Sequence, residues 1–406
     1  MSMTVAVSLT RPKIWWDHVV ASLLGRDGFL LLLSRMIQLG NGFILSVILV
    51  REFGLASVGT YTIATVAVSI LSLLCGLGLP YSLPREPLLE EERNTVAASW
   101  AALMFPIALV VVLPFSRVMA RHPGEWRDIA LFAVGGYFFG QMNVLNVLLI
   151  LQKRTRWAIM PPLVNTAGMI VGVFVGGSLA RFASILLIFR AFGSIWLFSG
   201  MRYRPIKFRS ILRCGLAGVK YSPMDLVNML SEQTGPLIMA SLVTRAELGV
   251  YGLCLQCLTS SDIPGWSVVQ SYYPELVRTH LATASMVRSR LMKLSFVIAF
   301  LVVATASVLG RYVYRVPEFA LMMTLLAMSV PSRYLNNFYD QTLRAAGYIR
   351  TGTFLAVIKL FLSLAIVWIF AWALGLWGAI IGLALLSLVS SALYARKALP
   401  IMSIDK

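Results

Sequence analysis

The sequence has 406 residues, of which 58% are hydrophobic and only 13% are charged, and its mean hydropathy is +0.80. Soluble globular domains carry about a quarter charged residues, so this composition excludes a soluble fold. A bilayer core about 30 Å thick requires roughly 20 apolar residues for each spanning helix, and the chain contains such runs one after another.

Twelve apolar runs predict an all-α, polytopic membrane protein. In chain order, the predicted spans are 28–50, 58–80, 95–114, 129–151, 157–180, 182–201, 221–243, 248–272, 294–310, 317–339, 351–374 and 376–395. Most show little of the 3.6-residue amphipathic period, as expected for helices that contact lipid on one side and protein on the other. Spans seven and eight differ from the others because both carry ionisable residues and prolines.

The basic residues are distributed unevenly between the predicted loops. The N-terminal segment, the even-numbered loops and the C-terminal tail contain 23 Lys and Arg residues, whereas the odd-numbered loops contain 8. Because positive residues accumulate on the cytoplasmic side, we predict a multi-pass protein of the bacterial inner membrane with both termini in the cytoplasm. Topology and attraction to anionic membrane lipids then account for the net charge of +18, and no nucleic-acid partner is predicted.

The chain divides into two similar halves. A long, basic loop separates six predicted spans from six, which predicts one six-helix bundle at 1–204 and a second at 205–406. Val58-Gly59-Thr60-Tyr61 opens span two and Leu248-Gly249-Val250-Tyr251 opens span eight, 190 positions later. Parallel six-helix repeats of this kind are a recurring transporter plan. Residues 1–27 are predicted to form an interfacial segment that leads into the first span.

Signatures of catalysis and nucleotide binding are missing from the sequence. It has neither a G-x-x-x-x-G-K-[ST] loop nor an H-E-x-x-H motif, and His18, His122 and His280 lie far apart. We therefore predict no catalytic residues, no metal site and no cofactor, and we expect transport rather than an enzymatic reaction. The alternatives from other classes are a membrane-embedded glycan polymerase or glycosyltransferase, and a scaffold within a cell-envelope assembly.

Charged and polar side chains inside the predicted spans are candidates for a transport site. A charge at mid-bilayer costs about 2.5–3.5 kcal/mol on insertion scales, so it normally faces an aqueous cavity. The candidates for substrate binding are Arg35, Asn41, Asn165, Arg190, Arg333, Asn336 and Lys359. The candidates for coupling or charge balance are Asp225, Glu232, Asp262 and Asp340. Asp262 precedes Pro264-Gly265, which predicts a break in span eight that would free backbone groups to line a cavity.

Two other interpretations of these residues remain open. Buried ion pairs that hold helices together would also explain them, and Arg35, Arg333 and Asp340 would lie near the interface if the span boundaries shift. In the cavity interpretation, basic residues at depth favour an anionic passenger such as a phosphate or pyrophosphate, which arginine binds bidentately. The acidic residues would then neutralise the empty site or carry a coupling ion, H⁺ or Na⁺.

Short motifs at the helix ends resemble a known family. They are Arg51-Glu52-Phe53-Gly54, Val58-Gly59-Thr60-Tyr61, Ser271-Tyr272-Tyr273-Pro274-Glu275-Leu276, Arg344-Ala345-Ala346-Gly347-Tyr348 and Leu374-Gly375-Leu376-Trp377-Gly378-Ala379. Together they resemble the polysaccharide transporters and O-antigen flippases of the MOP (multidrug/oligosaccharidyl-lipid/polysaccharide exporter) superfamily, over nearly the whole chain.

The resemblance implies two six-helix bundles in a V around a central cationic cavity. It implies alternating access that moves an undecaprenyl-pyrophosphate-linked oligosaccharide from the cytoplasmic to the periplasmic leaflet for cell-surface polysaccharide synthesis. Arg35, Arg190, Lys359 and Arg333 would contact the headgroup, and polysaccharide polymerase and chain-length proteins would be further partners. The alternative within the superfamily is a cation-coupled multidrug or small-molecule antiporter.

Overall fold

The computed structural model describes residues 33–404 apart from 35, 77–78, 84–85, 220–222 and 279–282. All regular structure in these residues is helical, which confirms the predicted all-α class. The helices are α1 Met36–Phe53, α2 Leu55–Gly76, α3 Leu79–Ser82, α4 Glu90–Met119, α5 Glu125–Gly140, α6 Met142–Leu151, α7 Met160–Val175, α8 Leu179–Ser199, α9 Phe208–Val219, α10 Pro223–Leu242, α11 Arg245–Arg278, α12 Ala284–Val308, α13 Phe319–Ala327, α14 Val330–Ala345 and α15 Ile349–Ile404.

Each predicted span falls on one or two of these helices, but three spans do not form a described helix that is both long and apolar enough to cross a membrane. Among the described residues, eight helical stretches are long and apolar enough to cross a membrane, and one of them, Arg350–Met402, contains two predicted spans. Predicted spans seven, eight and ten, which form α10, α11 and α13–α14, are missing from that set. Helices α10, α11 and α14 surround the polar cavity described below, so one face of each carries side chains that lipid would not accept.

The helix boundaries differ from the predicted ones in several places. Span four is interrupted at Gln141, and span ten is interrupted between α13 and α14. The predicted break at Pro264-Gly265 is wrong, because α11 runs on to Arg278. Gly265 instead makes room for an aromatic neighbour, since a Cβ there would overlap the ring of Tyr334.

The helices form two groups that meet where α2 packs against α10 and α11. Helices α2, α4, α5, α7 and α8 pack together, as do α10 to α15, and α2 packs against α11. A Cβ at Gly59 would overlap the carbonyl oxygen of Arg245, and a Cβ at Gly249 would overlap that of Leu55. Each glycine therefore faces the residue four positions before the other glycine. A twofold rotation between two helices produces this reciprocal contact, and the residues involved belong to the two similar sequence motifs.

A short amphipathic helix follows the predicted boundary between the halves. Helix α9 buries Ile211 and Cys214 and exposes Phe208 and Leu216. It packs on α3 and α4, where the Ser82 hydroxyl donates to the Cys214 carbonyl oxygen at 3.3 Å. A helix with one apolar face and basic residues beside it is typical of a membrane–water interface. The predicted interfacial segment at 1–27 lies outside the described residues.

A glycine in a special backbone conformation separates the last two spans within α15. Gly375 has φ 59° and ψ −133°, a combination that residues with a Cβ disfavour.

We expect Gly375→Ala to lower the free energy of unfolding by about 1–3 kcal/mol, which would appear as a lower midpoint of thermal unfolding in detergent. Gly40→Ala is the matched control, because Gly40 lies in α1 with open space around it. Equal midpoints for the two variants would contradict the kinked geometry.

Candidate functional site

A cavity of about 690 Å³ lies among α2, α10, α11, α14 and α15. Its wall combines charged, carboxamide and aromatic side chains inside a protein that is otherwise very apolar. The ionisable Asp, Glu, Lys and Arg residues of the lining are Glu232, Asp262, Arg333, Asp340, Arg344 and Lys359. The carboxamides are Asn228, Gln233, Gln256, Asn336 and Asn337, and the aromatic residues are Tyr61, Tyr251, Trp266 and Tyr394. Such a cavity accepts polar groups at a depth where lipid would exclude them.

Two ion pairs neutralise four of the charged residues. Arg333 on α14 binds Asp262 on α11 through both carboxylate oxygens, with 3.0 Å from Nε to each oxygen and a further Nη2 contact. Arg344 donates from Nε to Asp340 at 3.1 Å, one helical turn away. In the first pair, the predicted binding residue Arg333 is the partner of the predicted coupling residue Asp262, and this pair joins α11 to α14.

Glu232 and Lys359 have no such partner in the part of the chain that the structure describes. Neither makes an ion pair with any residue that the structure describes. Glu232 is exposed, and Lys359 is half-buried. The lining as a whole contains three acidic and three basic side chains. The described cavity is therefore balanced in charge, which differs from the cationic cavity that the family resemblance implies.

Among the predicted binding residues of the first half, Asn41, Asn165 and Arg190 do not line the cavity. Arg190 on α8 donates from Nε to Asn165 Oδ1 at 2.7 Å and stacks over the Phe139 ring at 5.4 Å. Its guanidinium lies beside the hydroxyl of Tyr61, which faces the cavity. Asn41 donates to the Pro162 carbonyl oxygen at 2.7 Å and accepts a hydrogen bond from Thr166, so α1 is bound to α7.

The structure therefore groups the predicted residues in three ways. Six of them line the cavity, namely Glu232, Asp262, Arg333, Asn336, Asp340 and Lys359. Asn41, Asn165 and Arg190 form polar contacts between helices of the first half. Arg35 lies outside the described residues, and Asp225 is placed on α10 without a described side chain.

Several cavity residues had no clear signal in the sequence. Arg344 follows the predicted end of span ten and therefore falls in a predicted loop. In the structure α14 continues to Ala345, and Arg344 lines the cavity. Gln256 and Trp266 lie on α11 among apolar residues, where only the rotation of the helix decides which face they occupy. Among the described residues, no three His, Cys, Asp or Glu side chains come together as a metal site would require.

One end of the two-bundle assembly is closed by a buried ion pair. Arg245 at the start of α11 donates from Nε to Glu125 Oε1 at 2.6 Å, and both side chains are only 8% exposed. Thr60 on α2 donates to the same oxygen at 3.0 Å. Arg245 also contacts the Met119 carbonyl oxygen, while its own carbonyl oxygen packs against Gly59. We call this set of contacts the clasp.

Further hydrogen bonds between the halves lie around the clasp. Arg121 donates to the Ala240 carbonyl oxygen at 2.5 Å, and Arg51 donates to the Val313 carbonyl oxygen at 2.8 Å. All these residues belong to, or flank, loops one, three, seven and nine, which the charge distribution predicts to be periplasmic. The cavity lining extends from Val58 beside the clasp to Arg344 near the other end of the helices.

Comparison with known proteins identifies the fold. Residues 24–175 match the family model described as "Polysaccharide biosynthesis protein", and no curated protein sequence matches the chain. The inward-facing structure of a multidrug resistance MATE family transporter of the MOP superfamily superposes with a TM-score of 0.71 at 15% identity, covering 92% of this chain and 95% of that one. The chain has the MOP-superfamily fold.

Two further solved structures resemble this chain over nearly its whole length. Lipid II flippase MurJ in an inward closed conformation gives a TM-score of 0.66 at 12% identity, covering 93% of this chain and 88% of that one. The outward-facing conformation of a MATE family transporter gives 0.57 at 16% identity, covering 95% and 98%. The predicted V-shaped, two-bundle helical architecture of a multi-pass membrane protein is thereby confirmed.

The clasp predicts which groups keep the outer end closed. We expect Glu125→Ala to expose the cavity from that end, because it leaves the Arg245 guanidinium buried without its carboxylate. The measurement uses a protein whose native cysteines are replaced and whose single cysteine is Thr65→Cys in the cavity wall. Cells that express it are labelled with an impermeant maleimide. The labelling rate should rise severalfold over the parent protein. The control is Glu247→Gln, since Glu247 is exposed and bonds within its own loop. Equal labelling of all three proteins would contradict the clasp.

Proposed function

We propose that this protein is a flippase that moves a lipid-linked oligosaccharide across the bacterial inner membrane for cell-surface polysaccharide synthesis, and that it has no catalytic activity of its own. The observation that carries the proposal is a polar cavity, sealed at one end between two helical bundles, in a chain whose residues 24–175 match a polysaccharide biosynthesis family. A polar headgroup requires such a passage through the hydrocarbon core, because unpaired polar groups there cost several kcal/mol each.

The proposed cycle is alternating access. The headgroup enters from the end predicted to be cytoplasmic and reaches the level of Lys359, while the lipid tail stays in the bilayer. The ammonium of Lys359 offers an anionic headgroup three hydrogen-bond donors without first breaking an ion pair in the described cavity. The bundles then rock relative to each other, the clasp and the α2–α11 contact beside it separate, and the headgroup leaves on the periplasmic side.

The energy source in this proposal is an ion gradient or the membrane potential. Glu232 is the acidic group best placed for coupling, because its carboxylate faces the cavity and has no ion pair in the described structure. Asp262 and Asp340 already bind arginines. We propose H⁺ or Na⁺ as the coupling ion, and a polysaccharide polymerase and chain-length proteins as the partners that receive the product.

A cation-coupled antiporter is the second candidate. The balanced charge of the cavity and the open carboxylate of Glu232 favour it more than a purely basic cavity would. The two candidates differ in what they move, so ethidium efflux from cells distinguishes them. Efflux that depends on Glu232, without any glycan transport, would favour the antiporter.

Lys359 provides the direct test of headgroup binding. We expect Lys359→Gln to slow the translocation of an undecaprenyl-pyrophosphate-linked oligosaccharide in proteoliposomes about 10- to 100-fold, because a hydrogen bond to a charged group is worth about 1.5–3 kcal/mol. Lys359→Arg should retain much of the rate. Arg181→Gln is the control, since Arg181 is exposed at the start of α8, away from the cavity. An unchanged rate in Lys359→Gln would remove this residue from the site, and absence of transport by the parent protein would refute the flippase.

A further inference from the structure

Five carboxamide side chains face the cavity from three helices. Asn228 and Gln233 come from α10, Gln256 from α11, and Asn336 and Asn337 from α14. All five are half-buried. Within the described structure, none of them makes a side-chain hydrogen bond. We call these five residues the carboxamide ledge.

Three carboxamides in the first half behave differently. Asn41, Asn94 and Asn165 are nearly fully buried, and hydrogen bonds join Asn41 to α7, Asn165 to α8 and Asn94 to the Arg202 carbonyl oxygen in the segment after α8. Asn and Gln inside membrane proteins commonly join helices in this manner. Among the described residues, no side-chain hydrogen bond joins a ledge residue to a neighbouring helix, so such bonds do not account for the polarity of the ledge.

Buried polar atoms beside the ledge also lack partners. Asn336 Oδ1, the hydroxyl of Tyr251 and the hydroxyl of Ser231 have no hydrogen-bond partner among the described residues, and all three residues line the cavity. An unsatisfied buried polar group costs about 1–3 kcal/mol. Several such groups around one hollow indicate a place that a polar occupant satisfies.

The chemistry of the ledge indicates the class of occupant. Each carboxamide offers two donors and one acceptor oxygen, which matches neighbouring hydroxyl groups that both donate and accept. Trp266 and Tyr61 add ring surface on which an apolar C–H face can pack. The ion pairs leave little net charge for recognition of an anion here. Uncharged, polyhydroxylated rings combine these features.

We propose that the carboxamide ledge is a glycan subsite, which binds the sugar rings of the headgroup while Lys359 meets its charged part. This inference rests on the proposed flippase function and adds to it a source of substrate selectivity. Lipids that bear the glycan are bound through both parts, whereas a lipid pyrophosphate without sugars is bound through the charged part alone.

Asn336→Leu/Asn337→Leu tests the ledge, because leucine keeps the branching of asparagine and its number of side-chain heavy atoms and removes its hydrogen-bonding groups. The probes are undecaprenyl pyrophosphate without sugar and the same lipid bearing a neutral oligosaccharide, with Kd measured by tryptophan fluorescence on the purified, reconstituted protein. We expect the double variant to raise the Kd for the glycan-bearing lipid about tenfold or more and to leave the Kd for the bare lipid within about twofold. Lys359→Gln should weaken both.

Gln341→Leu is the matched control, because Gln341 is a carboxamide on the same helix α14 that does not line the cavity. It should change neither Kd. Equal effects of the double variant on the two lipids, or none on either, would overturn the glycan subsite and leave the flippase proposal standing. If the parent protein translocates the glycan-bearing lipid but binds it no tighter than the bare lipid, the subsite is again refuted. Absence of translocation would refute the function itself.

Discussion

Polar side chains inside a bilayer must meet water or one another, and this constraint organises the second half of the molecule. Six ionisable and five carboxamide residues on α10, α11, α14 and α15 turn towards one hollow instead of towards lipid. Predicted spans seven, eight and ten, which are missing from the long apolar helices, supply most of these residues. The first half solves the same problem differently, because Arg190, Asn165 and Asn41 satisfy one another and the backbone within the bundle.

The second organising feature is the contact between the bundles. Gly59 and Gly249 allow the backbones of α2 and α11 to touch, and the Glu125–Arg245 pair is buried beside them. Apolar side chains also cross this contact, because Val58 on α2 and Leu248 on α11 belong to one hydrophobic cluster that includes residues of both halves. Opening this end therefore requires the ion pair to separate and part of that apolar surface to become exposed.

Much of the fold could be predicted from the sequence, because lipid imposes length and apolarity on each span. The duplicated Gly-containing motifs indicated two related halves, and the structure brings these motifs into contact. The site was less predictable. Whether Arg333 is free or bound to Asp262 depends on helix rotation, which the weak amphipathic period does not fix. Arg190 has the expected depth, yet Tyr61 lies between it and the cavity. Arg344 lies on α14, which continues beyond the last apolar residues of predicted span ten.

The central claim is that the closed end seen here opens when the headgroup is carried outward. The most direct measurement is the distance between spin labels at His122→Cys and Ala246→Cys, two exposed positions that flank the clasp on opposite bundles. In nanodiscs without substrate, the account predicts one short distance. Addition of the lipid-linked oligosaccharide should add a second, longer distance, and Glu125→Ala should increase its share. A single distance that neither substrate nor the substitution changes would contradict alternating access through this end.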